Sequence, residues 1–417
     1  IQQYLNTAGE LYTTDGGANF SAQTTTSNVV DQFENRLERK RKNLLGAPPG
    51  TTMIMFIDDL NMPMLENYGA QPPIELLRQV IDYGGFYDQK KLFWKNVADT
   101  QFIAACGPPG GGRMPVTPRL FRHFNMMWVP SLSQDAMNRI LSSILGGWLG
   151  HYKPELESLA TPVVKATVEM FFKISADLLP TPVKCHYTFN LRDPAKMLQG
   201  LMMVSIKHSL TNEKDLVMLF LHESCRVFRD RLINEEDCEW FNSMLADKVN
   251  AHIPKAAKVE EFRNAIFGDF LERVEEKPYR RVQGEEQCVT IFNEWLEDYN
   301  TTNPTKMNIV FFRDACYHLA RCTRTIRQPR GNMLMVGMSG VGRKCIARMA
   351  SHMAEYQCSS IEITRTYGKN EFKEDLKAMM MGVAKSGGKG MVFLFSDTQI
   401  VKESFLEDVN NILNTGE

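Results

Sequence analysis

Residues 337–345 read Gly-Met-Ser-Gly-Val-Gly-Arg-Lys-Cys, and they give the clearest signal of fold class in the chain. An apolar segment at 332–336 precedes them and predicts a strand, whereas residues 346–354 predict a helix. The glycines of this stretch allow the backbone to bend so that its N–H groups point at phosphate oxygens. Because the start of a helix also attracts anions, the stretch predicts a phosphate-binding loop between a strand and a helix.

The residues after the glycines depart from the usual pattern of such a loop. A standard loop continues with Lys and then Ser or Thr, for phosphate charge and Mg²⁺, whereas this chain continues with two cations and a thiol. The cations can still hold phosphate, but a thiol prefers softer metals than Mg²⁺. We therefore expect nucleotide binding without competent hydrolysis, and a relic loop is the alternative. The nucleotide-binding candidates here are Gly337, Gly340, Gly342, Arg343, Lys344 and Cys345.

Two apolar segments lead into acidic residues, as strands that deliver a carboxylate to a nucleotide do. Met53-Ile-Met-Phe-Ile57 is followed by Asp58 and Asp59, and it predicts a buried parallel strand. Asp58 is the candidate ligand of Mg²⁺ through water, and Asp59 is the candidate catalytic base. A strand followed by an acidic turn without function is the alternative.

The second acidic segment lies near the end of the sequence. Phe393-Leu-Phe-Ser-Asp397 offers Asp397 as a Mg²⁺ ligand through water, but Thr398 and Gln399 follow where an acid should stand. A neutral residue can orient water but does not readily take its proton. This segment therefore predicts binding without strong catalysis.

Three arginines fit the same kind of site. Arg119 and Arg122 follow the segment Phe102–Cys106, a second predicted strand, and could reach the terminal phosphate on a neighbouring module as an arginine finger. Arg192 could contact the nucleotide of its own module. For each arginine alone, a surface ion pair is the alternative. The glycine-rich run 107–113 predicts a tight connecting turn rather than a second phosphate loop.

Composition and charge exclude several classes of function. The 417 residues carry a net charge of −1, which argues against a nucleic-acid partner or an anionic membrane surface. No apolar run approaches the length of a membrane span. The nine cysteines contain no Cys-x-x-Cys pair, so neither a disulfide framework nor a zinc site is predicted, and a reducing compartment fits. The absence of an initiator Met at Ile1 predicts that the chain is cut from something longer.

The pattern along the chain changes from α/β to helical and back to α/β. A charged helix is predicted over residues 29–45, with solvated charges at 36–42, and residues 155–275 predict helices. Further strands are predicted at 360–364 and 392–395. The fold class is therefore α/β, with parallel sheets covered by helices on both faces and an intervening all-α subdomain.

At this point the motifs resemble those of one protein family, the dynein heavy chains. The segments that are similar to the third AAA+ module of that family are Asp58-Asp-Leu-Asn-Met-Pro63, Gly69-Ala-Gln-Pro-Pro-Ile-Glu-Leu-Leu-Arg78, Gly107-Pro-Pro-Gly-Gly-Gly-Arg113, Val116-Thr-Pro-Arg119 and His186-Tyr-Thr-Phe-Asn-Leu-Arg-Asp193. The segments that are similar to the start of the fourth are Ile326-Arg-Gln-Pro-Arg-Gly-Asn332, the loop at 337–345, Asp397-Thr-Gln399 and Phe405-Leu-Glu-Asp-Val-Asn-Asn-Ile-Leu413. The likeness is greatest to axonemal heavy chains of the inner-arm type.

The resemblance implies a ring of six ATPase modules that drives movement along microtubules in cilia. It implies ATP or ADP and Mg²⁺ as ligands, and as partners the neighbouring modules, dynein intermediate and light chains, and microtubules bound by regions outside this chain. It also implies three domains: 1–152, the large subdomain of the third module without its phosphate loop; 153–278, a helical small subdomain; and 279–417, part of the fourth module. The chain by itself is expected to be weakly active or inactive.

Carried over residue by residue, the resemblance implies roles at named positions. Asp58 and Asp59 fall on the acidic strand of the third module, and Arg192 falls on its sensor arginine. Arg122, or Arg119 as second choice, falls on the finger that serves the preceding module. The fourth module's site takes residues 337–345 and Asp397, and its adenine packs at Phe311 and Phe312.

The sequence also departs from the family pattern. Relatives carry Lys at the position of Arg343, a hydroxyl residue at Cys345 and commonly Asn at Met114, and Arg does not replace Lys freely in a tight phosphate loop. Two other functions therefore stay open: a non-catalytic nucleotide-binding module that stiffens a ring, or a different large AAA+ ring ATPase.

Overall fold

The computed structural model describes residues 18–204, 210, 212–253, 258–263, 265–273, 277–387 and 390–414, together with positions 4, 7, 12 and 13. The chain divides into two compact units. The first comprises Ile1–Val129, Glu362–Leu376 and Ser396–Glu417, and the second comprises Pro130–Ile361 and Lys377–Phe395.

The elements come in three groups along the chain. Residues 12–121 form β1 (Tyr12–Thr13), β2 (Ala18–Asn19), α1 (Thr26–Arg36), β3 (Glu38–Arg41), β4 (Leu44–Gly46), β5 (Thr52–Asp58), α2 (Pro72–Tyr83), β6 (Gly85–Tyr87), β7 (Trp94–Ala98), β8 (Thr100–Ala104) and α3 (Pro118–Phe121). The helical region forms α4 (Gln134–Leu149), α5 (Pro154–Ser158), α6 (Ala160–Asp177), α7 (Arg192–Leu201), α8 (Glu213–Val227), α9 (Glu235–His252) and α10 (Val259–Phe262). The rest forms β9 (Phe267–Gly268), β10 (Arg280–Arg281), α11 (Glu285–Thr302), α12 (Arg313–Arg327), α13 (Arg343–Met353), β11 (Gln357–Ser359), α14 (Lys369–Lys385), β12 (Met391–Phe393) and α15 (Ser404–Asn414).

A parallel sheet organises the first unit around β5. β1 and β2 both pair with β5 along one edge, and β8 pairs with it along the other, all in parallel register. The apolar side chains of Met53, Met55 and Ile57 are buried, as are Phe33 of α1 and Leu77 of α2. The predicted strand at 53–57 is therefore confirmed, and the strand predicted at 102–106 begins and ends two residues earlier.

The helix predicted over residues 29–45 is wrong beyond Arg36. Leu37 takes an extended conformation and donates its N–H to Phe33 O, which ends α1. The chain then forms an antiparallel hairpin, in which Glu38 lies opposite Gly46, within a sheet of order β3-β4-β7-β6. All four side chains of β3 are exposed, so the charges are solvated as expected, but on a strand rather than on a helix.

The helical region has its own core, and the prediction for residues 155–275 is confirmed as far as Phe262, beyond which Phe267–Gly268 form a short strand instead. Val164, Val168 and Phe171 of α6 are buried on one face and pack with apolar residues of α4, α8 and α9. The periodic apolar residues alone could place these helices, because each buries a stripe against its neighbours.

A buried charge pair joins α8 to α12. The Glu223 carboxylate, which is 0% exposed, accepts hydrogen bonds from Nε and Nη2 of Arg324, and Tyr279 Oη donates to its Oε1 over 2.9 Å. A Cβ on Gly200 of α7 would lie 1.9 Å from Glu223 Oε2. Glycine is therefore required there because the carboxylate occupies the space of a side chain.

Three strand predictions in the last part of the chain are corrected. Residues 332–336 pair with no other strand among the described residues, and Leu334 and Val336 are 88% and 87% exposed, because an extended segment becomes a strand only where a partner supplies the ladder. The strand expected at 360–364 instead occupies 357–359, where Gln357 to Ser359 pair in parallel with Met391 to Phe393. The strand expected at 392–395 therefore starts and stops earlier, and its residues are half-buried.

Among the described residues, none of the helices combines the length and the apolar character that crossing a membrane requires.

Candidate functional site

The central strand β5 ends at Asp58, at the carboxyl edge of the parallel sheet. Asp58 lies opposite Asn19 of β2, and its carbonyl accepts a hydrogen bond from the N–H of Phe20. Its side chain is exposed, and Oδ1 accepts from the N–H of Asp59 at 3.0 Å. Ligands of parallel α/β sheets bind beyond the carboxyl ends of the strands, so this carboxylate stands where a phosphate-bound Mg²⁺ can be reached.

Asp59 occupies a left-handed backbone conformation, with φ of 51°. Such a conformation is uncommon for residues other than glycine, although Asp and Asn tolerate it best. The side chain is 44% exposed, and its Oδ1 accepts a hydrogen bond from Arg113 Nη2 at 3.3 Å. Because Asp59 leaves the extended conformation of β5, the direction of its carboxylate does not follow from the alternation of side chains along the strand.

Three hydrogen bonds hold the segment after β5 against the segment after β8. Leu60 N–H donates to Ala105 O over 3.0 Å, and Met114 N–H donates to Asn61 O over 2.9 Å. The Nδ2 of Asn61, a residue only 2% exposed, donates to Gly107 O over 2.8 Å. Both segments are therefore held at the same edge of the sheet as the two aspartates.

The glycine-rich run 107–113 is a tight turn, as predicted. Gly110 and Arg113 exchange backbone hydrogen bonds of 3.0 and 3.1 Å, and Gly110, Gly111 and Gly112 all have positive φ. Arg113 and Asn61 belong to this edge as well, although neither was predicted from the sequence to have a role. The available signals were a single cation at the end of a glycine run and an amide two residues after the second of two acids.

The two arginines after this turn have different surroundings. Arg119 is exposed at the start of α3. Arg122 is 59% exposed on its side chain and lies 3.3 Å from Asp82. Partial burial raises the pKa of Asp82, but the hydrogen bond from Arg78 and the charges of His123 and Arg122 outweigh it and lower the pKa below its ordinary value. Arg122 is thus already in a surface ion pair, the alternative considered for it.

The downstream glycine-rich stretch contains two glycines in the left-handed region directly before a helix. Gly340 and Gly342 have φ of 85° and 81°, and Gly342 is the residue that precedes α13. The loop from 337 to 341 is exposed, as are Lys344 and Cys345 in the first turn of the helix, while Arg343 is half-buried. The predicted helix at 346–354 is confirmed, beginning three residues earlier.

The other candidates of the downstream module lie in different settings. Asp397 is exposed and opens a 3₁₀ turn, Asp397–Gln399, in which the Ser396 N–H and hydroxyl bond to the Gln399 side chain. Phe311 is 9% exposed and packs on Phe292 at 5.6 Å between ring centroids, whereas Phe312 is 61% exposed. Of the two rings, only that of Phe312 is available at the surface.

Arg192 is the first residue of α7 and is exposed. Its N–H donates to Asn190 Oδ1 over 2.9 Å. The neighbouring Asp193 is buried and paired with Arg231 at 2.7 Å, so the start of the helix is fixed while the Arg192 side chain faces solvent. Among the described residues, no cluster of three or more His, Cys, Asp or Glu is placed to hold a metal ion.

Comparisons with known proteins assign the parts of this chain. A family model described as P-loop containing dynein motor region matches residues 1–132, an AAA+ lid domain matches 163–256, and P-loop containing dynein motor region D4 matches 307–417. Human dynein axonemal heavy chain 6 is 48% identical over 96% of this chain. The chain belongs to the dynein heavy chains.

Other dynein relatives match along nearly the same length. Human dynein axonemal heavy chain 1 is 44% identical over 95% of this chain, and rat dynein axonemal heavy chain 12 is 39% identical over 88%. The chain spans 10% of the length of axonemal heavy chains 6 and 1 and 12% of that of heavy chain 12. The dynein family and the AAA+ fold are thus both confirmed, with a lid domain inside the helical region.

Proposed function

We propose that this chain forms part of an ATP-driven microtubule motor of the ciliary axoneme. The relatives are axonemal heavy chains, and two of the matching family models describe motor regions. In this proposal the chain contributes parts of the third and fourth ring modules of an inner-arm heavy chain, at 1–152 with 153–278 and at 279–417. Its partners are the neighbouring modules, the intermediate and light chains, and microtubules bound elsewhere in the heavy chain.

The observation that carries the proposal is the pair of acids at the end of the central strand. Asp58 is exposed at the carboxyl edge of the sheet, and Asp59, directly after it, has a left-handed backbone conformation. In phosphate sites Mg²⁺ takes one or two carboxylates together with phosphate oxygens, so Asp58 fits as its protein ligand. Mg²⁺ there would neutralise phosphate charge, while Asp59 would orient and deprotonate the attacking water.

The arginines complete the upstream assignment. We propose that Arg192 contacts the nucleotide of its own module and that Arg122, with Arg119 as the alternative, serves the preceding module. Both Arg192 and Arg119 are exposed and so free to meet a phosphate. For Arg122, the ion pair with Asp82 would have to open, and Asp82 would then keep Arg78 and His123 as partners.

For the downstream module we propose nucleotide binding without strong catalysis. The left-handed glycines and the following helix favour a bound phosphate, and Arg343 and Lys344 add charge. Cys345 and Thr398 replace the hydroxyl and the acid that hydrolysis requires, so binding of ATP or ADP would stiffen the ring rather than turn over. Asp397 is the proposed ligand of Mg²⁺ through water. Phe311 and Phe312 are the proposed contacts of adenine.

The proposal is tested with Asp59→Asn in the full-length heavy chain. Asn tolerates the left-handed conformation of this position, so the fold should be retained. Loss of a general base lowers turnover by about 10²–10⁴-fold, so the hydrolysis phase of this site should slow by that factor in single-turnover measurements while ATP stays bound. Asp31→Asn, an exposed position on α1, is the control. Unchanged hydrolysis in Asp59→Asn would refute the role.

A further inference from the structure

The ion pair between Arg113 and Asp59 uses only one of the two carboxylate oxygens. Oδ1 accepts from Arg113 Nη2, and within the part of the chain that the structure describes Oδ2 has no hydrogen-bond partner. A carboxylate that is hydrogen-bonded through one oxygen has fewer accessible orientations, while its other oxygen stays available. This is the arrangement by which an outer residue orients a group that acts on substrate.

The backbone of Arg113 is fixed on both sides. The exchange of hydrogen bonds with Gly110 closes the turn before it, and Met114 N–H is bound to Asn61 O directly after it. Asn61 lies two residues beyond Asp59, so the anchor and the anchored residue belong to segments that are tied to each other. The backbones of the two residues are therefore held close to each other.

Gly107 provides the space that the arginine side chain needs. A Cβ at position 107 would lie 2.9 Å from Arg113 Nε and 3.1 Å from Cδ, so the side chain passes directly over the glycine. The φ of Gly107 is not in the left-handed region, and alanine is accommodated by the backbone. An added methyl group would thus displace the flexible arginine rather than the turn.

We propose that Arg113 is a positioning residue that holds Asp59 Oδ1 and so presents Oδ2 to the attacking water. The inference rests on the proposed function, because it gives Arg113 a role only through Asp59. Arg113 is 41% exposed on its side chain, so the pair contributes little to stability and its value is in orientation.

The test is a double-mutant cycle in the full-length heavy chain, which reads the hydrolysis phase that Asp59→Asn slows. Misplacing a catalytic group by about 1 Å costs on the order of a hundredfold, so Arg113→Ala should slow this phase by at least about tenfold. The dissociation constant for ATP should change less than about threefold, because no contact with the nucleotide is lost. Arg113→Lys should restore part of the rate, and Gly107→Ala should reproduce the defect of Arg113→Ala.

In the Asp59→Asn background, Arg113→Ala should have no further effect. Arg39→Ala, an exposed arginine on β3 of the same unit, is the matched control and should leave the phase unchanged. Thermal unfolding midpoints of all variants identify any loss of fold. A wild-type rate in Arg113→Ala, or an equal defect with and without Asp59, would overturn the positioning role while leaving the proposed function intact. If Asp59→Asn slows no phase, both the positioning role and the proposed role of Asp59 fail.

Discussion

Breaking the buried pair of Glu223 and Arg324 from one side should be far more damaging than replacing both residues. Arg324→Met leaves the Glu223 carboxylate, which is 0% exposed, with Tyr279 as its remaining donor. Glu223→Gln leaves the guanidinium without a counter-charge in the same place. Removing one partner of a buried pair costs about 3–5 kcal/mol, because the other charge stays desolvated, and we expect that loss for each single variant.

The double variant should recover a large part of this loss. Glutamine and methionine together bury no charge, and replacing both partners of a buried ion pair is often neutral. The free energy of unfolding is measured with urea, and hydrogen exchange in α8 and α12 assigns the loss to these helices, since a chain with two units need not unfold in one step.

A surface pair provides the matched control. Lys173 and Asp177 form an i,i+4 ion pair on α6 with side chains 50% and 35% exposed, so Lys173→Met should cost at most about 0.5 kcal/mol. If the two single losses at Glu223 and Arg324 add within about 0.5 kcal/mol in the double variant, the two residues are not coupled and the reasoning is wrong.

Two further predictions concern stability. Burial first, and then the charges of Arg226 and Arg324, hold the pKa of His222 well below its ordinary value of 6.5. As the pH falls, His222 is therefore protonated in the unfolded chain before it is protonated in the folded chain. The free energy of unfolding has its full value above about pH 6.5 and falls below that pH by at most about 1.4 kcal/mol per pH unit. His222→Gln should flatten that slope in unfolding midpoints between pH 5 and 6.5, and an unaltered slope would assign the effect elsewhere. In the first unit, Phe33→Ala removes a ring 5.7 Å from Phe86 and should cost about 3–5 kcal/mol in urea unfolding, whereas the exposed Glu38→Ala should stay within about 0.5 kcal/mol; similar losses would contradict the assigned core.

The sequence was most informative where one short segment carries the whole signal. Residues 53–57 are apolar, flanked by turn residues and followed by acid, so the strand and the acidic residues at its carboxyl end could be predicted together. The helices of residues 155–275 could also be predicted, because each contains its own apolar stripe.

Other features depend on residues far apart in the chain. Charged residues continue from the end of α1 into β3, so this part of the sequence resembles a longer helix. The pairing of β4 with β7 is what identifies the hairpin of β3 and β4 as part of a sheet. Residues 332–336 are apolar enough for a strand, yet they would form one only if another strand lay beside them and completed the hydrogen-bonded ladder. The contact between Asp59 and Arg113 joins positions 54 residues apart, which spacing alone does not predict.

Gly200 has a consequence for how this protein can change over generations. The space beside it is filled by Glu223, which in turn needs Arg324, so a larger residue at 200 is excluded for as long as the acid is kept. An apolar residue in place of Glu223 would leave the charge of Arg324 buried without a counter-charge. An apolar residue in place of Arg324 would do the same to Glu223. The three positions should therefore vary together among descendants or not at all, and a lineage that has lost the pair should be free to carry alanine in place of this glycine.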